Sequence, residues 1–367
     1  MTHSICRWGI LGSAGIARKN WQSIFRSGNG IVTAVASRSQ ERAQQFINEC
    51  QAEVPFAIVP QAVGGYAELL ERDDIDAVYI PLPTGIRKDW VIRAAQAGKH
   101  VLCEKPCADN ATDLREMIAA CEQAGVQFMD GVMYMHTGRL QKIREVLNDG
   151  TSLGTLRRIN SQFTFNAPPE FLTDNIRMSS DLESLGCLGD LGWYTIRLTL
   201  WVMNYEMPTW VSARMLQAQG RADSPHQVPT EISAEMGFAS GVTATMYNSF
   251  RTEHTQLALI SGDRGSLQMN DFVLPYYGNQ TSFDVMNPVY AAKGCEVVME
   301  RHTRSITTDE YSNSHVTAQE SNLFRTFGQL ALSRTTDPHW PEIALKTQQV
   351  MDACLESARS GKQVELA

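Results

Sequence analysis

The stretch Arg7-Trp8-Gly9-Ile10-Leu11-Gly12-Ser13-Ala14-Gly15-Ile16-Ala17 decides the reading of this chain. Arg7 to Leu11 is a short, mainly apolar run of strand type. Gly12 to Ala17 is a small-residue turn, and the pattern behind it is helical through Phe25. A second strand, Gly30 to Ser37, follows as Gly-Ile-Val-Thr-Ala-Val-Ala-Ser. Strand, glycine turn, helix, strand is a βαβ unit.

Outward from this unit the alternation continues. Glu41 to Cys50 and Tyr66 to Arg72 read as helices, and Asp76 to Ile80 as a strand. Asp89 to Ala97 is a helix closed by Gly98, a residue suited to the left-handed turn after a helix. His100 to Cys103 is a strand, Thr112 to Ala124 a helix ended by Gly125, and Val126 to Met129 another strand. Such alternation predicts an α/β domain with a parallel sheet covered by helices on both faces, with ligands beyond the carboxyl ends of its strands.

The chain has 367 residues, enough for two domains at ~150 residues each. Hydrophobic residues make up 43% and charged residues 20%, an ordinary globular balance that excludes a disordered, collagenous or coiled-coil chain. Lys and Arg number 32 against 40 Asp and Glu, a formal charge of -8. That balance argues against nucleic acid or an anionic membrane as partner and favours a small molecule. The eight cysteines are scattered without a CxxC, which reads as reduced, mostly buried thiols. With no signal segment and no run of ~20 apolar residues, a cytoplasmic location is expected. The eight histidines show no HExxH or other metal spacing, so no metal is expected.

The glycine turn carries the first chemistry. Backbone N–H groups of a tight turn, and the start of the helix behind it, suit a pyrophosphate. The three positions of a GxGxxG/A pattern are Gly12, Ala14 and Ala17; the second glycine is replaced, and Gly15 supplies flexibility beside it. Gly12, Ser13, Ala14, Gly15 and Ile16 are therefore candidate cofactor-binding residues. The end of the second strand separates the two nicotinamide cofactors. An NAD site places a carboxylate there for the ribose 2′-OH. This chain has Ser37-Arg38-Ser39, with Arg42 one turn later. A hydroxyl followed by guanidinium groups fits a 2′-phosphate, so NADP ranks above NAD, with a solvated surface arginine as the plain alternative.

Two further strand ends lie at the same edge. Pro81-Leu82-Pro83-Thr84 follows Asp76 to Ile80, and Glu104-Lys105-Pro106 follows His100 to Cys103. These positions place Pro81, Leu82, Pro83, Thr84, Glu104 and Lys105 near the nicotinamide. A lysine there can hydrogen-bond a substrate hydroxyl and move its proton as the hydride leaves. Pro106 restricts Lys105 to an extended backbone.

These blocks resemble the glucose–fructose oxidoreductase (Gfo/Idh/MocA) family. The resemblance rests on Trp8-Gly9-Ile10-Leu11-Gly12, Asp76-Ala77-Val78-Tyr79-Ile80-Pro81-Leu82-Pro83 and, most specifically, Ala97-Gly98-Lys99-His100-Val101-Leu102-Cys103-Glu104-Lys105-Pro106. It extends over nearly the whole chain. Within the group the chain is similar to uncharacterised plant-type members and to the dimeric dihydrodiol and xylose dehydrogenase branch. The resemblance implies that Lys105 is catalytic and that the Lys105–Pro106 bond is cis. The family often has His after its N-x-x motif at the strand end, where this chain reads Thr84-Gly85-Ile86-Arg87; either a substrate contact differs there or Arg87 is a candidate for binding a negatively charged group.

Beyond the first domain, placed at residues 1–132, the pattern changes. Gly138 to Asn148 is an amphipathic helix, and Leu156 to Phe165 a loosely alternating strand. Alternation around Ser240-Gly241 and around Gly262-Asp263-Arg264-Gly265 predicts two β-hairpins. The hairpins predict a mainly antiparallel sheet in residues 133–367, followed by a last helix over Glu342 to Ser360, and the resemblance implies that this α+β domain has a large open sheet and serves substrate binding and oligomerisation. The resemblance implies that the open face makes a homo-oligomer contact, in a dimer or tetramer. Gly150-Thr151-Ser152-Leu153-Gly154 matches GxSxG, but a helix precedes it and a strand follows, the reverse of a hydrolase elbow.

Gly186-Cys187-Leu188-Gly189-Asp190-Leu191-Gly192-Trp193-Tyr194 opens a helix expected to run to about Met203, placing Asp190 and Tyr194 on one face. The family has a D-x-G-x-H or D-x-G-x-Y motif here, and this segment matches the Tyr form. The resemblance favours Tyr194 as proton relay beside Lys105 and Asp190 as the residue that holds the sugar or orients Tyr194. A helix-start Asp and a core Tyr are the plain alternatives. His136 reads equally as a site-lining or a packed residue, and Arg177 as a ligand contact or a structural ion pair. The expected activity is NADP-dependent hydride transfer to or from a sugar, polyol, diol or related carbonyl. The alternatives are a transferring oxidoreductase with a captive cofactor and a non-catalytic NADP-sensing protein.

Overall fold

A computed structural model describes residues 5–313, 315–333 and 335–366. Two compact units divide the chain: residues 1–136, 179–184 and 313–349 in the first, and 137–178, 185–312 and 350–367 in the second. The portion 133–367, expected as one domain, therefore contributes segments to both.

The first unit is the α/β domain. In chain order it contains β1 (Cys6–Leu11), α1 (Gly15–Ser27), β2 (Gly30–Ala36), α2 (Gln40–Glu53), β3 (Gln61–Val63), α3 (Tyr66–Leu70), β4 (Ala77–Ile80), α4 (Thr84–Gln96), β5 (His100–Cys103), α5 (Ala111–Gln123) and β6 (Phe128–Asp130). The sheet order is β3-β2-β1-β4-β5-β6, and every neighbouring pair is parallel. Strands β4 and β5 are apolar along most of their length, as a sheet covered on both faces requires. Because all strands run one way, the ends of β1, β2, β4 and β5 lie along one edge.

One covering element comes from far along the sequence. The helix Gln319–Leu332 packs Phe324 edge-on to Trp8 (5.2 Å between ring centroids) and to Tyr79 (5.6 Å), with Phe327 5.3 Å from Trp8. Trp8 is fully buried in this cluster. A tryptophan in a central strand needs a large apolar lid, and this returning helix supplies it. That need is the physical reason residues 313–349 belong to the first unit.

Helix α4 begins at Thr84, five residues before the expected start at Asp89. Its first turn contains Gly85, a weak helix former, so the local pattern under-reads it. The turn is held from a distance: the Glu183 carboxylate accepts from Thr84 N (3.2 Å) and Thr84 Oγ1 (2.7 Å), and Leu182 O accepts from Gly85 N (3.0 Å). A carboxylate at a helix start answers orphan N–H groups and suits the helix dipole.

The second unit contains α6 (Arg139–Asn148), β7 (Leu156–Asn166), α7 (Pro169–Asp174), α8 (Trp193–Val202), β8 (Trp210–Gln219), β9 (Val228–Gly237), β10 (Thr243–Ser249), β11 (Arg251–Gly262), β12 (Ser266–Met269), β13 (Gln280–Met286), β14 (Val289–Lys293), β15 (Glu296–Glu300), β16 (Thr303–Asp309) and the final short strand β17 (Val364–Glu365). Nine of these strands form one sheet in the order β16-β13-β12-β11-β7-β10-β9-β8-β17. Its neighbours are antiparallel except β7 with β10. Both expected hairpins are present, β9 with β10 and β11 with β12. Ser152 of the GxSxG match lies in the turn after α6, where its hydroxyl donates to Asp149 (2.5 Å).

The eight cysteines are free thiols, seven of them buried and Cys295 exposed. Among the described residues, no helix is long and apolar enough to cross a membrane. Phe324→Ala should remove the lid over Trp8 and cost about 3–5 kcal/mol of the first unit's stability. Denaturant unfolding followed by tryptophan fluorescence measures it, and a loss below about 1 kcal/mol would contradict this account of the cluster.

Candidate active site

The carboxyl edge of the parallel sheet is built from four loops. At the first, Gly12 follows β1 with φ +112°, a conformation that favours glycine, and a Cβ there would come within 3.1 Å of Leu82. Gly12 N donates to Ala36 O of β2 (2.8 Å), which fixes the turn against the next strand. Ser13 and Ala14 continue extended into α1, whose first residues are Gly15 and Ile16. Ala14 offers α1 no side-chain cap, and the first turn contains no acidic residue. Of the other helices that start at this edge, α2 is capped by Ser39, α5 by Asn110 and α4 is reached by Glu183, while α3, like α1, has no side-chain cap. Nothing fills the position of a Cβ on Gly15, and Ile16 is exposed. An uncapped helix start beside an open glycine turn fits a pyrophosphate.

At the end of β2, Ser37 is buried, with its hydroxyl 3.4 Å from that of Ser13. Arg38 and Arg42 are exposed. Both bear on one phenol: burial pushes Tyr66 up, and the two guanidinium groups pull it down. Two exposed cations just past a strand end that carries a hydroxyl and no carboxylate fit a 2′-phosphate.

Beyond β4 and β5, Pro81 and Leu82 are buried and Pro83 is half-buried. Thr84 is committed to Glu183 and, through Oγ1, to Pro106 O (3.4 Å). Glu104 is buried; it accepts from Tyr79 Oη (2.6 Å) and from the backbone N of Lys105 (3.2 Å). Asn20 Nδ2 donates to Tyr79 Oη at 2.6 Å. Burial and then the Glu104 carboxylate hold the Tyr79 phenol well above its usual range, so it remains a donor. Lys105 is half-buried, and the Lys105–Pro106 bond is cis, as the resemblance implied.

Arg87 departs from the anion-binding expectation. It is 3% exposed, and its guanidinium donates to backbone carbonyls: Nε to Leu82 O (2.9 Å), Nη1 to Glu104 O (2.8 Å) and to Pro106 O. His136 stacks on Trp340, with centroids 4.9 Å apart and planes 14° from parallel. The Tyr79–Glu104–Asn20 network and Glu183 were missed by sequence reasoning. A tyrosine inside a fully buried strand, which must find a partner for its hydroxyl, was the available signal for the first.

In the second unit, the segment before α8 is wider than an α-helix. Leu188–Gly192 has π-type winding, so Asp190 lies in that turn and Tyr194 in α8 itself. The even helix face expected for the pair is therefore interrupted. Gly192 lets the Leu188 and Asn248 side chains pack close: a Cβ there would meet Leu188 at 2.9 Å and Asn248 at 3.3 Å. Turns of π type recur at functional sites. Asp190 pairs with Arg177, Oδ2 to Nε at 2.7 Å, so the ion pair that was one of the two readings of Arg177 is present. The Tyr194 ring is largely buried and meets Phe163 edge-on at 5.6 Å.

An open glycine turn and a lysine at one carboxyl edge of a parallel sheet fit a nicotinamide-dependent oxidoreductase. Residues 6–132 match the family described as "Oxidoreductase family, NAD-binding Rossmann fold", and residues 140–268 match the "GFO/IDH/MocA C-terminal domain". The chain is 30% identical over 359 residues to the D-xylose 1-dehydrogenase (NADP(+)) 2 of Haloferax volcanii, covering 98% of this chain and 99% of that protein. It is 29% identical to the trans-1,2-dihydrobenzene-1,2-diol dehydrogenase of Bos taurus, covering 72% of this chain and 74% of that one. The crystal structure of a 3-ketoreductase from Actinomadura kijaniata, in complex with NADP and TDP-benzene, superposes with a TM-score of 0.80 at 27% identity, covering 96% of this chain and 98% of that one. The chain belongs to the Gfo/Idh/MocA oxidoreductase family.

Proposed function

We propose that this protein is an NADP-dependent oxidoreductase that transfers a hydride between nicotinamide and the carbinol carbon of a sugar, polyol, diol or related carbonyl. The observation that carries this reading is the shared edge: Lys105 lies at the end of β5, in the same parallel sheet whose β1 end forms the open glycine turn. The nicotinamide, when bound, supplies or accepts the hydride. Gly12, Ser13, Ala14, Gly15 and Ile16 receive the pyrophosphate, and Ser37, Arg38 and Arg42 the 2′-phosphate. Pro81, Leu82, Pro83, Thr84, Glu104 and Lys105 form the nicotinamide end.

Lys105 and Tyr194 serve the substrate oxygen in the same turnover, holding its proton in the ketone direction and giving one in the alcohol direction. Asp190, kept in place by Arg177, positions Tyr194 or a substrate hydroxyl. The D-xylose dehydrogenase, diol dehydrogenase and sugar ketoreductase relatives support a hydroxylated, sugar-sized substrate. The free, mostly buried thiols support a reducing, cytoplasmic location.

Lys105→Ala should keep NADPH affinity and lose about 10²–10⁴-fold in turnover. Absorbance at the nicotinamide band, against a panel of sugars, diols and dicarbonyls, reads the loss; full activity would remove the mechanism. The double variant Arg38→Ala/Arg42→Ala should weaken NADPH roughly 10–100-fold while leaving NADH nearly unchanged, since charge-assisted bonds to the 2′-phosphate are what it loses. Equal loss for both cofactors would argue against the assignment. The outer face of the nine-stranded sheet, with half-buried Gln162, Thr245, Tyr247 and Leu257, is assigned to contact with a second copy. Light scattering should give the mass of a dimer or tetramer, and a monomer at micromolar concentration would oppose it.

A further inference from the structure

Arg87 is a buried cation whose hydrogen bonds all go to backbone carbonyls. Among the described residues it forms no ion pair with a carboxylate. A guanidinium is costly to bury, and its planar fork is suited to bridging acceptors fixed in one plane. Here the fork spans two loops. Nε and Nη2 take Leu82 O, in the loop after β4. Nη1 takes Glu104 O and Pro106 O, the two carbonyls that flank Lys105 in the chain. Two further bonds complete the frame: Lys105 N donates to the Glu104 carboxylate (3.2 Å), and Thr84 Oγ1 donates to Pro106 O (3.4 Å). The backbone on both sides of Lys105 is therefore held by one side chain rooted in the first turns of α4.

We propose that Arg87 is the positioning residue for Lys105, fixing through the Glu104 and Pro106 carbonyls the direction in which the lysine leaves the sheet edge. This rests on Lys105 acting in turnover, as proposed above. Lysine at position 87 keeps the charge but offers a compact ammonium that does not span both loops in one plane. The loop after β5 then loses its fixed relation to the loop after β4, while the glycine turn and the β2 end, which Arg87 does not touch, stay intact. A misplaced reacting group costs rate far more than it costs cofactor affinity.

The test uses Arg87→Lys, Arg87→Ala, Lys105→Ala and Arg87→Lys/Lys105→Ala, each with kcat, KM, NADPH affinity by fluorescence and melting temperature. In Arg87→Lys, kcat should fall on the order of 10–100-fold with NADPH affinity within about threefold of the parent. In the Lys105→Ala background, the same change should lower the residual rate by no more than about threefold, because groups acting as a unit are not additive. Unchanged kcat in Arg87→Lys overturns the proposal. So does a full additional loss in the Lys105→Ala background, or a loss that appears in NADPH affinity instead. If Arg87→Ala fails to fold, Arg87→Lys decides. Lys105→Ala with full turnover removes the underlying reading and this proposal with it. An inactive Lys105→Ala beside a fully active Arg87→Lys removes this proposal alone.

Discussion

The parallel pairing of β1 with both β2 and β4 is the constraint on which the rest of the first unit depends. It forces four loops of very different sequence to one edge. It also brings several helix starts to that edge, each with N–H groups that need an acceptor. Those of α2, α4 and α5 are met by Ser39, Glu183 and Asn110. That of α1 receives no side-chain cap, and its turn contains the glycine at φ +112°. The start of α3 is also without a side-chain cap, so it is the glycine turn that marks the start of α1 as suited to an anion, in the same sheet as Lys105.

Much of this was legible in the sequence because it is local. Buried parallel strands are short apolar runs, and Gly98 and Gly125, both at positive φ, mark helix ends by themselves. The turn from Gly12 to Ala17 and the strand ends at Ser37, Pro81 and Glu104 could be placed by counting. What was not legible depends on distant partners. The first turn of α4 is stabilised by a carboxylate 99 residues away, so its own Pro83-Thr84-Gly85 says little about a helix. Trp8 signalled a need for cover, but nothing near it indicated that Phe324 would supply it. For the same reason the segment 313–349 returns to a unit that the pattern change near residue 132 seemed to have closed.

The site shows the same division. Lys105 was singled out from its place after a strand and from the block around it. Arg87 was offered as one candidate for binding an anion, because an arginine in the first turns of a helix is indistinguishable in sequence from one turned inward to carbonyl groups. Glu104 was placed near the cofactor, yet its carboxylate is occupied by Tyr79 and the Lys105 backbone. In the second unit, Asp190 and Tyr194 were recognised by motif. The π-type turn that contains Asp190 is not revealed by spacing alone.

In the second unit the ion pair of Arg177 with Asp190 gives a fixed carboxylate rather than a mobile one. The proposed chemistry rests on the lysine. A crystal structure of the protein with NADP and a soaked polyol measures its role most directly. The account predicts Lys105 Nζ within about 3 Å of the carbinol oxygen whose carbon faces the nicotinamide. A bound polyol whose reacting oxygen is served by other groups, with Lys105 turned away into solvent, would contradict it.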